Sequence, residues 1–300
     1  MASALICRSS YRALPLLCSS ASISSLPHFR SFSGSASPPE ASLLRLTQHE
    51  GLAVLQLDRA KAKNALSVQM VRELRDLVEE VRFDGETRVL ILRSAVPGAF
   101  CAGADLKERK TMSELEVARF LYNLRRLLSE LESLPIPTIA AIDGPALGGG
   151  LELALACDLR VAAPSVTKIG LPETGLAIIP GAGGTQRLAR LIGTSRTKDL
   201  IFTAKVMTAE EAHGQGIVNY LANPGQEATG HAIHIASDML QAGPLALRAA
   251  KTAVDVGSQL DLGSGLDVER LCYQTILKSR DRLEGLAAFA EKRKPVYRGE

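Results

Sequence analysis

The run from Thr138 to Ala163 limits what this chain can become more than any other stretch. A short apolar segment, Thr138 to Ile142, meets a turn at Asp143-Gly144-Pro145 and crosses Gly148-Gly149-Gly150. It then enters a helix-like run ending near Asp158 and continues into a second apolar strand. Strand, bare backbone, helix and strand in that order belong to an α/β architecture. Glycines at a helix N-terminus leave backbone N–H groups unshielded, where the helix dipole also favours negative charge, so an oxyanion can be held there. A carboxylate, Glu152, follows two positions after the last glycine. By itself the segment favours a tight turn whose carboxylate only complements the dipole over an anion site with an acid beside it.

Composition fits a layered core of that kind. Aromatic residues make up 4% of the chain and Trp is absent, so the interior closes by near approach of Ala, Leu, Gly and Val rather than around large rings. With 300 residues, 46% of them hydrophobic and 22% charged, the chain can bury a large core as one or two domains. The formal charge is only +3, and Arg8, Arg12 and Arg30 lie in the N-terminal segment, so the body is close to neutral and nothing at the whole-chain level argues for nucleic acid or an anionic membrane as partner. No apolar stretch is long enough to span a bilayer. Outside that segment the cysteines are Cys101, Cys157 and Cys272, an odd set without CxxC spacing, which points to reduced thiols and away from a metal site.

Residues 1–37 contain no Asp or Glu, are rich in Ser and carry scattered Arg, the composition of a mitochondrial transit peptide. Pro38-Pro39 reads as the linker into the body. Leu43 to Leu46 and Ala53 to Leu57 flank His49-Glu50-Gly51 as a hairpin. After a basic loop from Arg59 to Leu66, Ser67 caps a helix with apolar Met70, Val71, Leu74, Leu77, Val78 and Val81. A buried strand at Val89 to Leu92 leads to a loop containing Phe100-Cys101-Ala102-Gly103-Ala104-Asp105. Ser113 and Glu116 form a capping box for a helix to about Ser133, stopped by Pro135 and Pro137. Past Ala163, a loop-rich passage from Ile169 turns into a helix near Thr185. Thr208 and Glu211 form a second capping box, Ile217 to Leu221 is a last strand, and residues 226–292 read as helical. The domains expected are a core at 38–225 and a helical region at 226–300.

Several chemistries are excluded. Neither glycine cluster completes a dinucleotide fingerprint, since Leu153 and Gln186 occupy the third glycine positions, and neither precedes the Lys-Ser/Thr of a phosphate loop. There is no G-x-S-x-G elbow and no HExxH. His231 and His234 read as a solvated pair, and Cys101, with no His near it in sequence, as a packed residue. Carboxylates and backbone N–H groups remain.

Three motifs occur together and in order: Ala102-Gly103-Ala104-Asp105-Leu106-Lys107, Asp143-Gly144 through Gly148-Gly149-Gly150-Leu151-Glu152, and Pro172-Glu173 through Gly181-Ala182-Gly183-Gly184-Thr185-Gln186. On these, from about Leu43 to Glu300, the chain resembles the crotonase superfamily, the enoyl-CoA hydratase and isomerase group. The resemblance implies an α/β spiral of ββα units with a C-terminal helical trimerisation region, assembled as a homotrimer or homohexamer. It places a thioester oxygen between the N–H groups of Ala104 and Gly149. It also makes Glu152 and Glu173 an acid/base pair, one deprotonating water for attack at C3 while the other helps deliver a proton to C2. Coenzyme A would arrive as part of an acyl-CoA substrate, with no separate cofactor and no metal. It would lie against Arg59, Lys61, Ala62 with Asn64, Leu106 and Lys107, with Phe289 and Lys292 reaching a neighbouring subunit's nucleotide. The implied activity is a mitochondrial (matrix) enoyl-CoA hydratase of fatty-acid or branched-chain acyl-CoA metabolism.

Other readings compete with this one. Within the family, isomerase, hydrolase or decarboxylase work uses related sites, and a weak paralogue could retain only coenzyme A binding; the presence of both glutamates favours hydration. A different class, binding of AU-rich RNA, rests on a comb of lysines that one RNA-binding member carries on its first helix. The matching positions here are Val68, Arg72 and Asp76, only one of them basic, so this reading ranks low.

Overall fold

The computed structural model describes residues 37–300, so the transit-peptide expectation lies outside the described residues except for Ser37. The hairpin forms where expected: β1 (Ala41–Arg45) pairs antiparallel with β2 (Leu52–Leu57). Ser67 caps α1 (Val68–Phe83) by accepting from Met70 N, and the helix buries Met70, Val71, Leu74, Val78 and Val81. After β3 (Val89–Ser94), Asp105 caps the short α2 (Leu106–Lys110). The Ser113/Glu116 capping box then starts α3 (Glu114–Glu132), which packs on α1.

The following segment shows how the spiral is built. β4 (Thr138–Ile142) joins the large sheet, β5 (Ala146–Leu147) joins a small one, and α4 (Gly149–Leu155) follows. The next turn repeats this with β6 (Leu159–Ala162), β7 (Ile169–Gly170) and α5 (Gly184–Ile192). α6 (Thr194–Phe202), β8 (Val206–Met207), α7 (Ala209–Gly214) and β9 (Tyr220–Leu221) complete the core. Four helices finish the chain: α8 (Ala228–Met239), α9 (Pro244–Gly257), α10 (Leu262–Ile276) and α11 (Arg280–Glu291).

The large sheet has six strands in the order β1-β2-β3-β4-β6-β9, parallel from β2 onward. Its central strands are apolar runs without alternation because both faces are covered: every residue of β4 is buried, and α8 packs across β3, β4 and β6. The small sheet, β5-β7-β8, sets the segments that follow β5 and β7 side by side.

Local departures from the sequence reading have physical causes. The run expected to stay helical near Asp158 ends at Leu155, and the Asp158 carboxylate instead accepts from Thr138 N and Oγ1 and pairs with Lys251 at 2.8 Å. Only Tyr220 and Leu221 of the last expected strand pair with β6, because Ile217 N and Val218 N both turn back to Ala212 O. α2 buries no residue and starts on Asp105, whose carboxylate accepts from Lys107 N and Glu108 N.

Candidate active site

Short bridges bring three loops together. Cys101 pairs with Ala146, and Ala146 and Leu147 pair with Ile169 and Gly170. The loop before α2, the glycine run before α4 and the turn after β7 are therefore neighbours. Glycine makes this approach possible at Gly103, whose φ is +95° and where a Cβ would stand 2.8 Å from Leu147 O. The result is that Ala104 N lies 3.4 Å from where a Cβ on Gly149 would be. The N–H groups of Ala104 and Gly149 have no hydrogen-bond acceptor among the described residues. Two adjacent free donors form a cradle for an oxygen carrying negative charge.

Glu152 lies in the first turn of α4 and is 2% exposed. Its Oε1 accepts from Ala182 N and Gly184 N, each at 2.8 Å. Burial raises the carboxyl above the usual carboxylate range. The N–H groups of Gly184 and Ala182 and the charges of Arg187 and Arg125 oppose that rise.

Glu173 sits on a 3-10 turn, Pro172–Leu176, begun by proline and closed by Ala177 at positive φ. Its Oε1 is 3.0 Å from where a Cβ on Gly148 would be, so the carboxyl overhangs the glycine run. Gly148 itself has φ +52° and ψ −123°, a conformation open to glycine. Glu173 Oε2 is buried with no partner. Burial, reinforced by the charge of Glu152, pushes the Glu173 carboxyl up to about 7. The site thus holds one carboxylate fixed by two N–H donors and a second that keeps its proton to near neutrality, an arrangement able to remove and donate protons beside a stabilised oxyanion.

The basic loop is anchored beneath this cradle. Asn64, fully buried with φ +57°, accepts from Arg59 N at 2.8 Å and donates to Ser94 Oγ at 2.7 Å and Phe100 O at 2.9 Å. Asn64→Ala will cost about 3 kcal/mol in urea unfolding, because it strands several buried polar groups; a change within experimental error contradicts this role. Arg59 pairs with Glu40 at 2.6 Å and with Asp105 at 2.7 Å, and donates to Ala65 O. Lys61 and Ala62 lie on the 3-10 turn Ala60–Ala62, and Leu106 and Lys107 open α2. Ala102 N bonding Lys63 O and Leu66 N bonding Gly103 O place these two segments side by side next to Ala104.

Phe289, 86% exposed, and Lys292 stand at the far end of α11. No hydrogen bond from α11 reaches the loops of Ala104, Glu152 or Glu173 among the described residues. Val68, Arg72 and Asp76 lie one turn apart along the exposed side of α1. Cys101 donates its thiol to Asn64 O, and burial pushes that thiol up to about 12, which removes it as a nucleophile. The sequence reading missed the donors that hold Glu152; the Gly181-Ala182-Gly183-Gly184 run was the available signal.

Two buried acids and two unpartnered N–H groups on a parallel α/β core suit proton transfer beside an oxygen that carries negative charge. Residues 47–300 match the model of the enoyl-CoA hydratase/isomerase family, and the chain belongs to that family. Over 265 residues it is 54% identical to a protein of Arabidopsis thaliana named "Probable enoyl-CoA hydratase 2, mitochondrial", covering 88% of this chain and 87% of that one. Over 256 residues it is 50% identical to the mitochondrial methylglutaconyl-CoA hydratase of Homo sapiens, covering 84% of this chain and 75% of that one. The crystal structure of an enoyl-CoA hydratase from Bacillus anthracis, 46% identical, superposes with a TM-score of 0.84 over 87% of this chain and 100% of that one.

Proposed function

We propose that this enzyme is a mitochondrial hydratase that adds water across the C2=C3 bond of 2-enoyl-CoA thioesters in fatty-acid or branched-chain acyl-CoA metabolism, working in the matrix. The observation that carries the reading is the pairing of two unpartnered N–H groups, on Ala104 and Gly149, with two carboxyls in different protonation environments. In this mechanism the thioester oxygen lies between the two N–H groups and gains charge as the enolate forms. Each such donor contributes on the order of 3 kcal/mol. Glu152, fixed by two donors, takes the proton from water attacking C3. Glu173, protonated near neutrality, supplies the proton to C2.

Lys61 and Lys107, with Ala62 and Leu106 between them, form the surface offered to coenzyme A, where ammonium groups suit phosphates. Arg59 supports that surface from behind through Asp105. Exposed Leu262, Leu266, Leu283, Leu286 and Phe289 on α10 and α11 fit burial against further copies of the chain in a trimer or hexamer. In such an assembly Phe289 and Lys292 would meet a neighbour's nucleotide. The names of the relatives in Arabidopsis and human support a mitochondrial location.

A panel of straight and branched 2-enoyl-CoA thioesters, with products identified by mass, tests the reading. Hydration adds one water, whereas isomerisation leaves the mass unchanged and hydrolysis releases free coenzyme A. A panel in which no substrate gains water overturns it.

The carboxyl of Glu173 also sets the pH dependence. The rate should fall about tenfold per pH unit once pH exceeds its value, as the donor proton is lost. Since the folded-state value lies above the unfolded one, the folded protein binds the extra proton between them, so this group's contribution to stability is present at low pH and lost as pH rises through about 7. Glu173→Gln should therefore be more stable than the parent by about 1–3 kcal/mol near pH 8, with no gain near pH 4, as read by denaturant unfolding. A gain that is the same at both values contradicts the assignment.

A further inference from the structure

The loop that grips Glu152 is itself gripped. Arg187, on the first turns of α5, donates through Nη1 to Ala182 O at 3.0 Å, between the two N–H groups that hold Glu152 Oε1. Its Nε and Nη2 fork onto both oxygens of Glu132, at the end of α3, at 3.0 and 2.7 Å. The guanidinium lies against Gly183, whose φ is +109° and where a Cβ would come within 2.3 Å of Nη1. Gly183 is thus open so that an arginine can close over the loop.

We propose that Arg187 is a positioning residue, anchored on Glu132, that holds the Gly181–Gly184 loop and through it the Glu152 carboxylate in place for proton transfer. A planar fork fixes both oxygens of one carboxylate and a backbone carbonyl in a single rigid geometry, whereas an ammonium is a point charge with rotatable donors that imposes no such plane. The charges facing Glu152 are those of Arg187 from α5 and Arg125 from α3, which favour its ionised form, and that of Glu173 across the site. Removing Arg187 therefore loosens the base and disfavours its ionised form together.

The inference rests on the hydratase reading for its kinetic arm and on the carboxyl itself for the other. Arg187→Gln should lower kcat about 10- to 100-fold with little change in KM, the scale of loss from a small misplacement of a reacting group. The acid limb of its pH–rate profile should move to higher pH. Arg187→Lys restores the charge but not the fork, so it should return the acid limb to the parental position while recovering kcat only in part. Infrared titration of the Glu152 carboxyl, identified by difference from Glu152→Gln, should show a higher midpoint in Arg187→Gln than in the parent, whether or not a substrate is known.

A parental kcat and midpoint in Arg187→Gln overturn the proposal, as does a loss of thermal stability with the midpoint and acid limb unmoved. If Arg187→Gln fails to fold, Arg187→Lys decides: parental kcat there overturns the role of the fork. A parent enzyme that hydrates nothing defeats the hydratase reading and leaves the titration as the test of Arg187.

Discussion

Glu152→Gln lowers kcat for hydration of a 2-enoyl-CoA by about a thousandfold while the protein stays folded, within the usual range for removing a general base. The amide keeps the shape of the carboxyl and can present its oxygen to Ala182 N–H and Gly184 N–H, so the loop retains both donors. What it lacks is the capacity to take a proton from water. An interaction made only in the transition state lowers kcat and kcat/KM together, so KM should hardly move. Steady-state kinetics beside a thermal melt provide the check. A variant that keeps more than about a tenth of the parental kcat contradicts the role given to Glu152, because so small a loss is out of scale with general-base catalysis.

The second large effect is structural. An alanine in a helix is ordinarily about 1 kcal/mol better than a glycine. At Gly150 the sign reverses, because a Cβ would stand 2.2 Å from Cys101 O and 2.9 Å from the carbonyl carbon. Both neighbours are backbone of the loop that carries Ala104, so α4 and that loop cannot part without opening the cradle between Ala104 N–H and Gly149 N–H. Gly150→Ala should cost about 4 kcal/mol or more and abolish turnover. Gly230→Ala in α8, where nothing lies within 4 Å of the added carbon, is the control and should stabilise by about 0.5 kcal/mol. Equal effects at the two sites in equilibrium unfolding contradict the account of the close approach.

Much of this was legible in the residues because it is local. Ser67, the Ser113/Glu116 box and the Thr208/Glu211 box all cap helices where their spacing placed them. The apolar runs at Val89 and Thr138 became buried strands. The glycine stretch announced a strand-to-helix turn, but its meaning depended on residues far away in the chain. Ala104 meets Gly149 only because Cys101 pairs with Ala146, and Glu173 overhangs Gly148 only because Ile169 and Gly170 pair with Ala146 and Leu147. Two-residue strands such as these carry no periodicity, so nothing in the sequence marks them. The same holds for Arg59, whose ion pairs with Glu40 and Asp105 join residues 19 and 46 positions away in the chain. The motif resemblance supplied the partners that spacing could not.

Incubation of the enzyme with crotonyl-CoA in water enriched in heavy oxygen, followed by mass analysis of the thioester, tests the central claim most directly. The account predicts a 3-hydroxyacyl-CoA that has gained one water, with the heavy oxygen on C3, formed by the parent about a thousandfold faster than by Glu152→Gln. Recovery of unchanged or merely isomerised crotonyl-CoA from the parent, or of equal product from both proteins, would contradict it.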